Sequence, residues 1–88
     1  MRNNNYTEIE KLLMDLLNLL TDIFNEDEIQ EVKEFIDVGE YGLALDTLID
    51  IIVEEKKQVS ENVLEIIYKL ARIMSLDEKT IQERIMHQ

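Results

Sequence analysis

The chain has 88 residues, 45% of them hydrophobic, and its 20 acidic residues outnumber 9 Lys and Arg for a formal net charge of −11. This length predicts one small helical domain over residues 1–88, with enough apolar side chains to form a core. The absence of Cys excludes disulfides and thiolate metal sites, and the negative charge argues against direct binding to nucleic acid or to anionic membranes.

The residue types predict an all-α fold, a compact bundle of four to five amphipathic helices. No Pro occurs, good helix formers dominate, and no hairpin dipeptide such as Asn-Gly or Asp-Gly is present. The helices are predicted over about residues 6–24, 26–38, 41–56, 61–75 and 78–86. The short connections predict helices that pack antiparallel or at sharp corners.

Polar residues at the predicted helix starts indicate N-caps, because their side chains accept hydrogen bonds from free backbone N–H groups. The predicted N-caps are Asn5, Asn25, Ser60 and Asp77. Glu8 and Glu28 stand three residues after the first two caps and would complete capping boxes.

Apolar residues recur at helical spacing and predict the core. The stripe of the first helix is the widest and predicts contacts on more than one side; it comprises Ile9, Leu12, Leu13, Leu16, Leu17, Leu19, Leu20, Ile23 and Phe24. The later helices are predicted to bury Ile29, Val32, Phe35, Ile36, Leu45, Leu48, Ile49, Ile52, Val63, Ile66, Ile67, Leu70, Ala71, Met74, Ile81 and Ile85.

Both glycines lie in the segment 38–46, between the second and third predicted helices. Gly39 follows the last periodic residue, which predicts a left-handed helix cap because Gly adopts positive φ without a Cβ penalty. Gly42 lies in the first turn of the next helix and predicts a close backbone approach. The segment therefore predicts a tight helix–helix corner.

Little in the sequence indicates catalysis or metal binding. The one histidine, His87, is penultimate and is expected to be solvated, while Ser60 and Ser75 stand at helix starts or junctions. No Gly-rich phosphate loop and no calcium-loop pattern occurs. We therefore expect a protein that is not an enzyme and that holds no cofactor and no metal.

The negative charge is uneven along the chain. Residues 8–55 contain 15 acids and 2 bases, whereas residues 56–88 contain 5 acids and 6 bases. Such a field attracts cationic surfaces, although an acidic surface that only improves solubility is the simpler alternative. Tyr41 lies among these acids and could anchor a partner, or it could simply cover its own corner. The predicted partner-binding residues are Glu31, Glu34, Asp37, Glu40, Tyr41, Asp46, Asp50 and Glu54.

Other binding functions have weaker support. A DNA-binding helix-turn-helix would need more clustered Lys and Arg than the chain contains. The chain is similar in size and charge to acyl carrier proteins, whose Asp-Ser-Leu motif carries phosphopantetheine at a helix start. The nearest match, Asp46-Thr47-Leu48, has Thr for Ser and falls inside a predicted helix. A homodimer is compatible with the apolar stripes but is not required by them.

The run 34–48 around Gly39-Glu40-Tyr41-Gly42-Leu43-Ala44 resembles the central signature of MafI-type immunity proteins. Residues 66–74 and the following Ser75-Leu76-Asp77 are similar to the next helix of that family and its end. The resemblance covers roughly residues 28–78, and its Gly-Glu-Tyr-Gly-Leu-Ala core is moderately specific. The last helix falls outside it.

The resemblance implies a cytoplasmic bacterial protein, from contact-dependent growth inhibition systems, that binds and neutralises one cognate toxin C-terminal domain, commonly a nuclease. The absence of Cys, of an apolar signal core in residues 1–5 and of any apolar run longer than three residues agrees with that location. Glu40 and Tyr41 are the motif positions most able to contact a toxin. The alternative function is an acidic helical adaptor or regulatory subunit that binds a basic protein or self-associates.

Overall fold

A computed structural model describes residues 3–86 of the chain and the side chains of residues 5–86. Its helices are α1 (Asn3–Leu19), α2 (Glu26–Asp37), α3 (Tyr41–Glu54), α4 (Glu61–Ile73) and α5 (Glu78–Met86). This confirms the predicted all-α bundle. Within the described part of the chain, each helix is too short or too polar to cross a membrane. The expectation of a solvated His87 lies outside the described residues.

The helices pack around one hydrophobic core to which all five contribute. α2 lies along α3, α1 packs on α4, α3 and α2, and α5 contacts both α3 and α4. The predicted broad contact of α1 is therefore confirmed, but Leu19 is 45% exposed and does not belong to its buried stripe. α3 buries six of its residues and carries the predicted Leu45, Leu48, Ile49 and Ile52 into the core. This packing fixes one face of α3 inward and leaves its carboxylates on the flanks.

The ends of α1 differ from the prediction. The helix begins at Asn3, so Asn5 lies inside it and is not an N-cap. It ends at Leu19 instead of Phe24, and residues 20–23 form a turn in which the Phe24 N–H donates to the Leu20 carbonyl at 2.7 Å. The turn lets Phe24 reach the core, where it is 4% exposed, directly before α2 starts.

The other predicted N-caps are confirmed. Asn25 has extended backbone and forms the full capping box with Glu28, whose backbone N–H donates to Asn25 Oδ1 at 2.8 Å. Ser60 accepts a hydrogen bond from the Val63 N–H at the start of α4. Asp77 accepts hydrogen bonds from the backbone N–H groups of Lys79 and Thr80 and from the Thr80 hydroxyl. Removal of a cap of this kind typically costs about 1 kcal/mol.

Gly39 closes α2 in a Schellman motif, as predicted. It has φ 78°, its N–H donates to the Ile36 carbonyl at 3.0 Å, and the Glu40 N–H donates to the Phe35 carbonyl at 2.8 Å. The close backbone approach predicted at Gly42 is wrong, because a Cβ built there meets no atom of the described residues within 4 Å. The corner therefore depends on one glycine.

Candidate partner-binding surface

The segment from α2 to the end of α3 carries most of the negative charge. Residues 26–55 contain 11 acidic residues and a single base, Lys33. The two helices are packed side by side, which brings some of their carboxylates together. Because α3 buries its apolar face, its acids lie outside the core.

Between α2 and α3 lies a hollow of about 300 Å³, which we call the acidic hollow. It is lined by Glu28, Glu31, Thr47, Asp50, Ile51, Glu54 and Glu55. The structure thus brings together three of the predicted partner-binding residues, Glu31, Asp50 and Glu54. It adds Glu28 and Glu55, which the sequence analysis did not assign to the surface. Thr47 lies half-buried in the middle of α3, away from a helix start, unlike the serine of a carrier protein.

Glu28 already has a cation beside it. Its Oε1 accepts the Asn25 N–H at 2.9 Å and pairs with Lys57 Nζ at 3.2 Å. The Asn25 hydrogen bond, with a smaller contribution from Lys57, holds the Glu28 pKa below its ordinary value. Lys57 also donates to the Ile23 carbonyl at 3.1 Å and lies 5.8 Å from the Phe24 ring centroid. Lys57 therefore ties the end of α3 to the turn before α2.

Asp46 and Asp50 are paired within the chain. Arg84 of α5 donates to Asp46 Oδ1 at 3.0 Å through one guanidinium nitrogen and to Asp50 Oδ1 through the other. The four-residue spacing places both carboxylates on one flank of α3, where the planar guanidinium can bridge them. These two predicted partner-binding residues therefore hold α5 in place, and a partner would have to compete with Arg84 for them.

Tyr41 and Glu40 lie at a different hollow, at the α2–α3 corner. This tyrosine hollow has a volume of about 460 Å³ and is lined by Asn5, Tyr6, Ile9, Gly39, Glu40, Tyr41, Gly42, Ile73 and Met74. The rings of Tyr6 and Tyr41 lie 6.3 Å apart between centroids, and the Tyr41 hydroxyl donates to Glu10 Oε1 at 3.2 Å. Desolvation, and then the Glu10 carboxylate, raise the pKa of Tyr41 above its ordinary value. Tyr41 is half-buried, so it does cover its own corner, while Tyr6 is 63% exposed.

The predicted surface is therefore divided. Glu34 and Asp37 are exposed on α2 but line neither hollow. Tyr6 and Glu10 were missed by the sequence analysis, although their four-residue spacing places them on one face of α1.

Within residues 5–86, no three His, Cys, Asp or Glu side chains converge closely enough to hold a metal ion.

Comparison with protein-family models, with curated proteins and with solved structures found no match to this chain. The resemblance to immunity proteins therefore remains a prediction from the sequence.

Proposed function

We propose that this chain is an immunity protein that binds the basic domain of a cognate bacterial toxin and neutralises it by stoichiometric occlusion. The observation that carries the proposal is the acidic segment 26–55, which contains 11 acids and one base. Lys57 and Arg84, from outside the segment, pair with only three of these acids within residues 5–86. The resemblance around Gly39–Ala44 supports the same function. A nuclease is the fitting toxin class, because a cleft that binds phosphates is basic.

The acidic hollow is the proposed centre of the contact. Among residues 5–86, ion pairs engage Glu28, Asp46 and Asp50, whereas Glu31 and Glu54 form none. Exposed carboxylates without an ion pair, such as those of Glu31 and Glu54, are hydrated and can exchange water for Lys or Arg side chains of a partner. Such complementarity raises the association rate and disfavours wrong partners more than it raises the affinity.

Co-expression with the toxin domain encoded beside this gene tests the proposal. We expect a one-to-one complex in size-exclusion chromatography with light scattering, loss of toxin activity in the complex, and survival of cells that carry both genes. A toxin domain that stays fully active at a molar excess of this protein would refute the proposed function.

The salt dependence of association tests the steering mechanism separately. The association rate should fall steeply between low and physiological ionic strength, because salt screens the charges that guide the encounter. A complex that forms at the same rate in both conditions would preserve the proposed function but would exclude electrostatic steering.

A further inference from the structure

The tyrosine hollow combines an apolar floor, two aromatic rings and a negative rim. Ile9, Ile73 and Met74 line it on the apolar side, and all three belong to or pack against the core. Tyr6 and Tyr41 provide the rings, and Tyr6 is unusually exposed for so large a side chain. A concave site that offers aromatic faces to solvent is typical of a position where a partner inserts an anchor residue.

The charge around the tyrosine hollow determines which kind of partner side chain would bind there. Glu40 lines it, Glu10 touches the Tyr41 hydroxyl, and the lining residues between positions 5 and 86 include no cation. An apolar side chain in this hollow would desolvate these carboxylates without pairing them, which is unfavourable. A cation would pair with them and gain attraction from the tyrosine ring faces.

Arginine fits this combination better than lysine. Its guanidinium is planar, stacks on aromatic faces and can donate to a carboxylate in a two-pronged arrangement, whereas the lysine ammonium is a compact and strongly hydrated charge. The chain itself contains a smaller arrangement of the same kind, in which a cation lies beside both an aromatic ring and a carboxylate. Lys57 lies over the Phe24 ring and beside the Glu28 carboxylate.

We propose that the tyrosine hollow is the binding site for an arginine side chain of the protein partner. This inference rests on the proposed function for the identity of the partner. It adds a second contact at the α2–α3 corner to the acidic hollow, which we propose as the centre of the complex. The tyrosine hollow adds aromatic surface, which the described residues that line the acidic hollow do not provide.

A peptide titration followed by NMR tests whether the tyrosine hollow binds arginine, without a toxin. The probe is acetyl-Ala-Ala-Arg-Ala-Ala-amide, added at millimolar concentration to the isotopically labelled full chain, with citrulline and Lys in place of Arg as controls. We expect saturating shifts in the ring signals of Tyr6 and Tyr41 and in the backbone signals of residues 39–42. The neutral citrulline peptide should bind at least tenfold more weakly, and the Lys peptide should also bind more weakly than the Arg peptide.

Variants sharpen the test. Tyr6→Ala should weaken binding of the Arg peptide about fivefold, in the range expected for loss of one exposed cation–π contact. The matched control is Leu19→Ala, because Leu19 is also a large exposed side chain on α1 but lies outside the hollow. No shift at the tyrosines, an equal response to citrulline, or an equal loss in both variants would overturn the proposal. Tyrosine signals that move in an Arg2→Ala variant without peptide would make this chain's own arginine the occupant, which would also overturn it.

The toxin complex separates this inference from the proposed function. If the toxin domain binds Tyr6→Ala as tightly as the parent protein, the proposed arginine site in the tyrosine hollow is wrong and the proposed function stands. If the toxin domain binds neither protein, the proposed function fails, and the peptide titration still decides whether the hollow accepts arginine.

Discussion

Gly39→Ala is expected to destabilise the protein, whereas Gly42→Ala, three residues further along, is expected to stabilise it. Gly39 has φ 78°, a left-handed conformation that costs a residue with a Cβ about 1–2 kcal/mol. The reduced entropy of the unfolded chain returns about 0.4–1 kcal/mol of this. The net loss in the free energy of unfolding is therefore about 1 kcal/mol.

Gly42 has ordinary helical backbone, and a Cβ built there meets nothing within 4 Å in the part of the chain that the structure describes. Ala exceeds Gly in helix propensity by about 0.8–1.0 kcal/mol in a helix interior, and less of this applies in the first turn. We expect a gain of about 0.5 kcal/mol in the free energy of unfolding. The two variants remove no charge, so their effect on stability can be measured apart from any effect on the acidic surface.

Urea unfolding followed by circular dichroism measures both changes, and thermal unfolding should agree with a shift of roughly 4–8 °C per kcal/mol. Gly39→Asn provides a control, because Asn tolerates the left-handed conformation better and should lose less stability than Ala. A Gly42→Ala variant as destabilised as Gly39→Ala would refute the structural reasoning, because it would require a neighbour close to Gly42.

Two further predictions concern α5 and the capping box. Arg84→Met should cost at most about 1 kcal/mol, because exposed ion pairs contribute little, yet it should speed amide hydrogen exchange across residues 78–86. Ile85→Ala removes a buried side chain and should cost about 2 kcal/mol or more; equal costs in urea unfolding would contradict this order. Glu28 has a lowered pKa in the folded state, so its contribution is complete above the ordinary glutamate pKa of about 4.3 and is lost as the pH falls through the folded value. Compared with Glu28→Gln, the parent protein should therefore lose more stability on acidification, and parallel pH profiles would contradict the assignment.

Local chemistry explains why most of the fold could be predicted. The caps at Asn25, Ser60 and Asp77 and the terminator at Gly39 use interactions between residues at most five positions apart. Residue type alone is informative there, because few side chains can satisfy the free backbone groups of a helix end. The same reasoning failed at Asn5, where a cap-like residue stands inside a helix that starts two residues earlier.

The left-handed residues that follow α3 and α4 could not be predicted, because Lys and Ser are unusual in that conformation. Lys56 and Ser75 adopt φ 52° and 59°, a region that Gly normally occupies. Each makes the same Schellman arrangement as Gly39, with the next N–H donating to a carbonyl five residues back, at 2.9 Å after α3 and 2.8 Å after α4.

The negative charge of the candidate surface could be predicted from the sequence. Its division between the acidic hollow, the Arg84 ion pairs and the tyrosine hollow could not. The spacing of Asp46 and Asp50 placed them on one flank of α3, but their partner Arg84 lies 34 and 38 residues away and meets them only because α5 packs on α3. Likewise, Tyr41 joins Tyr6 and Glu10 across the fold. Such pairings depend on how helices pack, which one periodic sequence does not specify.

Charge reversal in the acidic hollow tests the central claim most directly. The double variant Glu31→Lys/Glu54→Lys changes two exposed carboxylates that form no ion pair within residues 5–86, and Glu65→Lys/Glu83→Lys on α4 and α5 makes the same change in net charge elsewhere. Stopped-flow association with the toxin domain at low salt should be slowed roughly tenfold or more by the first pair and much less by the second. Equal slowing by both pairs, with unfolding free energies unchanged, would contradict an acidic α2–α3 binding surface.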